Sequence, residues 1–311
     1  METLFEVMKL SVSLGVLVFL SDRLIDSGSR LARVFGISPT VIGLTLLAYG
    51  TSLPEFSVSS IAAIKGHSRI AVANAIGSNI YNIAVVMGVA SLISPFTIKE
   101  RTLATRDAII MILSALLLAL LSSIGGIGRI SGVVMVSLLV FYTIYIIRHG
   151  WFPSEVGQYG RVSKAREIAL SIVLLSGVLV SGNFTVDSAA NLARMIGVGE
   201  WVIGATIVAA GTSLPETVVS IIAARKGEFG MSVGNIVGSN IFNILWILGF
   251  ASILSPLAID LLAVYPDLIF LGLITILFYI GLSKGRLTKV EGALYIGVYA
   301  GYIYCLLWSR G

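Results

Sequence analysis

Gly50-Thr51-Ser52-Leu53-Pro54-Glu55 recurs as Gly211-Thr212-Ser213-Leu214-Pro215-Glu216, and the reading of the whole chain starts from that pair. Shifting the sequence by 161 residues lays Val41–Pro95 over Val202–Pro256 with 31 identities in 55 positions. A second dense match sets Gly77-Ser78-Asn79-Ile80 against Gly238-Ser239-Asn240-Ile241, and upstream Leu31-Ala32-Arg33 faces Leu192-Ala193-Arg194. Chance does not produce this. Duplication kept for packing alone would preserve size and apolarity, yet the densest matches are polar.

The chain around these copies has 311 residues, of which 57% are hydrophobic and 12% charged. A soluble chain carries roughly 25% charged residues. With a mean hydropathy of +0.98, most of the surface would be costly to hydrate. Disorder, nucleic-acid binding and a secreted disulfide scaffold are excluded together. The single Cys305 has no internal partner and says nothing of the redox compartment.

A bilayer core of about 30 Å takes about 20 apolar residues as helix. Ten such stretches occur, at 4–21, 37–64, 70–94, 107–124, 130–147, 168–186, 198–224, 231–255, 262–281 and 290–308. Strands of a membrane barrel would alternate in polarity, whereas Ala108–Leu121 is apolar on nearly every face. The expected fold is an all-α membrane protein. With the N-terminus outside, cytoplasmic loops hold 15 of the 21 Lys and Arg residues, so the positive-inside bias puts both termini outside. Five spans per copy is an odd number, so the second copy enters the membrane from the opposite side. The expectation is two inverted five-helix repeats, 1–147 and 168–311, joined by a cytoplasmic linker at 148–167. Inverted repeats are the architecture of many secondary transporters, with the substrate held where the halves meet.

Glu55 and Glu216 lie deep in apolar spans that contain no Lys or Arg. An intramembrane carboxylate costs about 2.5–3.5 kcal/mol on insertion scales and marks a functional site by default. Each follows a proline, Pro54 or Pro215, that removes a helical hydrogen bond and clashes with the carbonyl four residues back. Unwinding is expected near Ala48–Gly50 and Ala209–Gly211, freeing carbonyl oxygens; a plain kink is the other reading of such prolines. Thr51 and Ser52 lie four and three residues before Glu55, as Thr212 and Ser213 do before Glu216, so helical spacing puts them beside their own acid. Asn74, Ser78 and Asn82 form a polar stripe at four-residue intervals, and Asn235, Ser239 and Asn243 repeat it. For Asn74 and Asn235, glue between helices is the competing role.

All of these ligand types are oxygen: two carboxylates, two central amides, six hydroxyls and several carbonyls. His67 and His149 fall in loops, so zinc or copper ligation has little support. Oxygen ligands suit hard cations, calcium taking six to eight of them in flexible geometry. Two ionised glutamates about 5 Å apart would repel by about 3 kcal/mol at an effective dielectric of 20. One divalent ion neutralises them, as do two protons or two monovalent ions, while three sodium ions leave +1. Different ions satisfying one pair of charges at different times describe an exchanger.

The paired Gly-Thr-Ser-Leu-Pro-Glu and Gly-Ser-Asn-Ile-x-Asn stretches resemble the α-repeats of the sodium/calcium exchanger family, within the cation/calcium antiporter superfamily. The resemblance spans the chain and looks like that to prokaryotic members with a short central loop. It implies that Glu55 and Glu216 bind calcium directly and that Asn82 and Asn243 occupy the central positions. Thr51, Ser52, Ser78, Thr212, Ser213, Ser239 and the carbonyls of Ala48 and Ala209 would form flanking sodium sites. It further implies that the first and sixth helices, about 4–21 and 168–186, slide across the other eight. Many relatives have an acid at a central position, often the one matching Asn243; two Asn residues here leave the site at −2. Three sodium per calcium is the family's expectation.

The function expected is therefore electrogenic sodium/calcium antiport at the cell membrane, by a multi-pass protein that is not an enzyme. Its substrates would be Ca2+ and Na+; it needs no cofactor, no nucleic acid and no obligatory protein partner beyond the bilayer. The alternative is a proton/calcium antiporter in which the two glutamates take protons in turn. Proton-coupled members usually carry a Gly-Asn version before the acid, so Thr51-Ser52 and Thr212-Ser213 favour sodium. A channel could use the same oxygens without obligatory exchange. An intramembrane enzyme finds no His or Cys at depth near the acids.

Overall fold

The computed structural model describes residues 2–97, 101–149, 163–197 and 209–310, and within them the apolar stretches are helices. In chain order these are α1 (Glu2–Phe35), α2 (Pro39–Thr51), α3 (Leu53–Ile64), α4 (Ser68–Ile93), α5 (Arg101–Ser123), α6 (Arg129–His149) and α7 (Lys164–Met195). Then follow α8 (Ala209–Thr212), α9 (Leu214–Arg225), α10 (Phe229–Leu254), α11 (Leu261–Ser283) and α12 (Lys289–Arg310). Among the described residues, seven helices are long and apolar enough to cross a membrane; α2 and α3, bent by 47° at Ser52, make an eighth if read as one broken span. Positions 198–208 of the seventh expected stretch, and most of the 148–167 linker, lie outside the described residues.

Two helices are longer than their apolar stretches. The first, expected over 4–21, runs on to Phe35, and the sixth, expected over 168–186, runs on to Met195. Charges such as Asp22, Asp26 and Arg30 break the hydropathy, but Leu24, Ile25, Leu31 and Ala32 between them stay buried. The helical period outlasts the apolar run. Gly36, at φ +66°, ends α1 in a conformation that favours glycine.

Helices α1 and α7 pack along most of their length and run antiparallel, as Ser27···Ser171, Thr185→Ser13 and Asn191→Glu6 hydrogen bonds of 2.8, 3.0 and 3.2 Å require. They share an apolar cluster with α2 and α9, built on Leu17, Leu24, Leu47, Leu175 and Val219. A larger cluster joins α4, α5, α6, α10, α11 and α12. Lipid-facing sides carry residues such as Phe5, Val12, Phe19, Leu116 and Phe141, all exposed.

Helices in lipid gain no hydrophobic drive from meeting one another, so association depends on close packing between small residues. Helices α2 and α10 meet in this way. A Cβ on Gly43 would lie 2.5 Å from the Met231 carbonyl, on Gly234 2.5 Å from that of Thr40, and on Gly238 2.6 Å from that of Leu44. Within α2, Gly43–Leu47 is a π-helical turn; α4 carries another at Asn82–Met87 and α10 a third at Asn243–Leu248. The last two begin on the asparagines expected at the centre of the site.

Contacts between the copies are reciprocal. The short strands β1 (Phe96–Thr97) and β4 (Arg286–Leu287) pair antiparallel, as do β2 (Gly126–Ile127) and β3 (Leu257–Ala258). Adding 161 to β1 gives β3, and adding 160 to β2 gives β4, so one pairing is the other with the copies exchanged. Gly238→Ala is expected to overpack α2 against α10 by about 1–3 kcal/mol and to lower the melting temperature of the detergent-solubilised protein. Gly15→Ala, at an exposed position with no heavy atom within 4 Å of the added Cβ, should leave the melting curve in place.

Candidate functional site

Ser52 interrupts the second expected stretch with φ −83° and ψ 12°, and Ser213 interrupts its counterpart with φ −92° and ψ 13°. Each proline then falls in the first turn of the next helix, where its missing N–H costs nothing. The expected unwinding is thus confined to a single residue in the first repeat. The Ala48 carbonyl is not set free but accepts from the Ser52 N–H at 3.2 Å. The bend has a second effect. It places Glu55 and Glu216 in the first turns of α3 and α9, where the helix dipole favours negative charge.

The hydroxyls do not flank their own acids. Ser52 Oγ donates to Glu216 Oε1 at 2.9 Å, and Ser213 Oγ donates to Glu55 Oε1 at 2.7 Å. The bend at the serine breaks the i, i+3 alignment on which the expectation rested and turns each hydroxyl toward the other repeat. Ser213 also reaches Ser78 Oγ at 3.3 Å. The two halves finish each other's carboxylate.

Glu55, Glu216, Asn82 and Asn243 are all fully buried. Among the described residues, one carboxylate oxygen of each acid, Oε2, has no hydrogen-bond partner, nor has the Oδ1 of either asparagine. Four buried acceptors without donors stand on two residue pairs related by the repeat. Buried oxygens in this condition are expensive unless something positive meets them.

The remaining expected residues lie around them. Ser239 Oγ donates to the Ala48 carbonyl at 3.3 Å, which joins α10 to α2. Thr51 Oγ1 turns back to the Leu47 carbonyl at 3.0 Å and sits 3.5 Å from both the Ala48 carbonyl and Asn235 Oδ1. Thr212 lines a cavity described below, and Ala209 is described as the first residue of α8. Asn74 and Asn235 take the role of glue: Asn74 Nδ2 donates to Ser59 Oγ and Asn235 Nδ2 to Ser220 Oγ, both at 2.9 Å.

Some buried polar groups were passed over by hydropathy. Asp107 is 1% exposed and pairs with the adjacent Arg106 at 2.8 Å. Glu167 accepts from Arg30 Nε at 3.0 Å and Ser27 Oγ at 3.2 Å, binding α7 to α1. Asp267 is buried in α11. Only the basic neighbour of Asp107 hints at such pairing in the sequence. Asn79 and Asn240 lie inside the repeated motif, yet nothing in their spacing separates them from Asn82 and Asn243.

A cavity of about 570 Å³ reaches this region between α3, α7 and α8, lined by Pro54, Ser57, Asn183, Asp187, Gly211 and Thr212 among others. Toward the other end of the antiparallel α1–α7 pair, charged and polar contacts join α1 to the turn that follows α9. Lys226 Nζ lies 2.9 Å from Asp22 and 2.6 Å from Asp26, and Ser29 Oγ donates to Glu228 at 2.7 Å. Burial would lower the Lys226 pKa, but Asp26 and Asp22 outweigh it and hold the ammonium above its ordinary value.

A family model described as sodium/calcium exchanger protein matches residues 7–148 and again 167–308. The inner membrane protein YrbG of Escherichia coli is 34% identical over 286 residues, covering 86% of this chain and 86% of its own. The sodium/calcium exchanger MaX1 of Methanosarcina acetivorans is 30% identical over 344 residues, covering 94% of this chain and 96% of its own. Among solved structures, the sodium-calcium exchanger NCX_Mj superposes with a TM-score of 0.86 at 31% identity, over 99% of this chain and 100% of that one. One family model lying on both halves, and relatives aligned nearly end to end, place the chain in the sodium/calcium exchanger family.

Proposed function

We propose that this protein exchanges Na+ for Ca2+ across the cell membrane by alternating access, and that the exchange is electrogenic. Its family is one of transporters rather than enzymes. The observation that carries the reading is the set of four donor-less, buried oxygens on Glu55, Glu216, Asn82 and Asn243. Two carboxylates and two amide oxygens are hard ligands that suit calcium. The serines between the acids are donors now, but a hydroxyl also carries lone pairs. On rotation, Ser52 and Ser213 would turn those toward Na+, with Thr51, Ser78, Thr212, Ser239 and the Ala48 and Ala209 carbonyls completing the flanking sites.

In the orientation favoured by the basic residues, both termini are outside and the ten spans form inverted repeats at 1–147 and 168–311, with the linker at 148–167 in the cytoplasm. The cavity beside Thr212 then faces outside, while the Lys226 pairs with Asp22 and Asp26 lie toward the cytoplasm. An open path on one side and ion pairs on the other fit one half of an alternating-access cycle. Helices α1 and α7, clustered together apart from the larger core, are the elements that would slide. The name of the E. coli relative places that protein in an inner membrane, in keeping with a cell-membrane location here.

In proteoliposomes at clamped pH, an outward sodium gradient is expected to drive calcium uptake, and an imposed inside-negative potential should slow it if three sodium ions leave per calcium. Uptake that ignores sodium and follows a pH gradient would mean proton coupling; calcium flux with no counter-ion would mean a channel. Glu55→Gln and Glu216→Gln should each abolish transport with expression intact, because each removes a charge and offers an amide N–H₂ where a cation needs oxygen. Normal turnover in either variant refutes the assigned roles. Asn243→Asp raises the site to −3 and should shift the sodium activation curve more than the calcium affinity, which parallel titrations will compare.

A further inference from the structure

We infer that Asn79 and Asn240 are positioning residues, which fix the two central amides so that oxygen rather than N–H₂ faces the cation. The inference rests on the cation reading of the site and assigns roles to two residues outside its ligand set. An asparagine side chain has a donor end and an acceptor end of nearly equal size. Left to itself, Asn82 or Asn243 could present either. A donor pointed at a cation would repel it.

The geometry removes the choice in two steps. Asn79 Nδ2 donates to the Asn240 backbone carbonyl at 3.1 Å, and Asn240 Nδ2 donates to the Asn79 carbonyl at 3.1 Å. A peptide carbonyl only accepts, so the donor end of each clamp residue is assigned without ambiguity. Each Oδ1 must then point the other way. There Asn79 Oδ1 accepts from Asn243 Nδ2 at 2.9 Å, and Asn240 Oδ1 accepts from Asn82 Nδ2 at 3.2 Å. With their donor ends turned to the clamp, Asn243 and Asn82 present Oδ1 to the site, and those are two of the four oxygens without partners among the described residues. All four asparagines are fully buried. Flipping Asn243 would set its Oδ1 against Asn79 Oδ1, acceptor against acceptor. The fixed polarity of two backbone carbonyls is thereby passed through two side chains to the site.

The test is calcium binding to the purified full-length protein, followed by calorimetric or radiocalcium titration. Asn79→Leu removes both ends of one clamp at similar volume. Partners that orient metal ligands typically change affinity by about 10–100-fold, and a loss in that range is expected. Asn243→Asp supplies the decisive background, because a carboxylate has oxygen on both sides and no donor end to misdirect. There the same Asn79→Leu change should alter the calcium Kd by less than about threefold, the coupling expected of residues acting in one network. An equal loss in both backgrounds means that Asn79 only packs helices and overturns the inference. If Asn79→Leu yields no monodisperse protein, Asn79→Ala takes its place in the same two backgrounds. A loss of calcium affinity that Asn243→Asp abolishes supports the clamp, and an equal loss in both overturns it. Wild-type protein that binds no calcium overturns the cation reading and this inference with it. Wild-type binding that Asn79→Leu leaves untouched overturns the inference alone.

Discussion

Negative charge that has been taken out of water and given too few donors is the constraint on which this structure depends. Glu55 and Glu216 each accept from a serine of the other repeat and stand at a helix N-terminus, and each keeps an oxygen without a partner among the described residues. Making the site self-sufficient would take only a lysine or arginine, and the two apolar stretches that carry the acids, 37–64 and 198–224, contain neither. The rest of the fold reads as the means of keeping that deficit in place. Broken helices aim helix dipoles at the acids, glycine contacts bring α2 and α10 to backbone distance, and the π turns start at the asparagines that supply the other oxygens.

Most of this arrangement was legible in the residues, for identifiable reasons. Carboxylates in apolar spans are costly enough to stand out singly, and a repeat that keeps them twice removes the bland explanation. Glu55, Glu216, Asn82 and Asn243 are among the buried residues that keep an acceptor without a partner in the described structure, and they do so as two pairs related by the repeat. The family resemblance favoured sodium as the counter-ion, a choice that oxygen chemistry alone left open between sodium and protons. What stayed hidden depended on where the chain bends. Helical periodicity put Ser52 beside Glu55, and a single non-helical residue handed it to Glu216. The lengths of α1 and α7 were underestimated because hydropathy averages over a helix's faces, whereas Asp22 and Arg30 share a helix with fully buried Leu24 and Ile25. Asn79 was invisible for another reason. Its function lies in which end of an amide points where, and composition carries no trace of that.

Polarity in the core is ordered by role. Residues with a rotatable hydroxyl, Ser52 and Ser213, touch the acids and can reverse from donor to acceptor. Amides, which cannot reverse without losing their bonds, hold the central oxygens. Asn74 and Asn235, with their donor ends on Ser59 and Ser220, tie α4 to α3 and α10 to α9. On the proposed function, adaptable groups stand where the occupant would change, and rigid ones where a fixed oxygen would suit every occupant.

The crossed serine–glutamate bonds carry an evolutionary consequence. Contacts in which residue i of one copy meets j of the other, and j meets i, are those of an isologous interface between identical subunits. Two unlinked ancestral copies meeting in this way would already have closed the same loop of bonds. Fusion would have added a tether without inventing the chemistry. Once fused, a serine lost from one half disarms the acid of the other, so neither copy can drift independently at these positions.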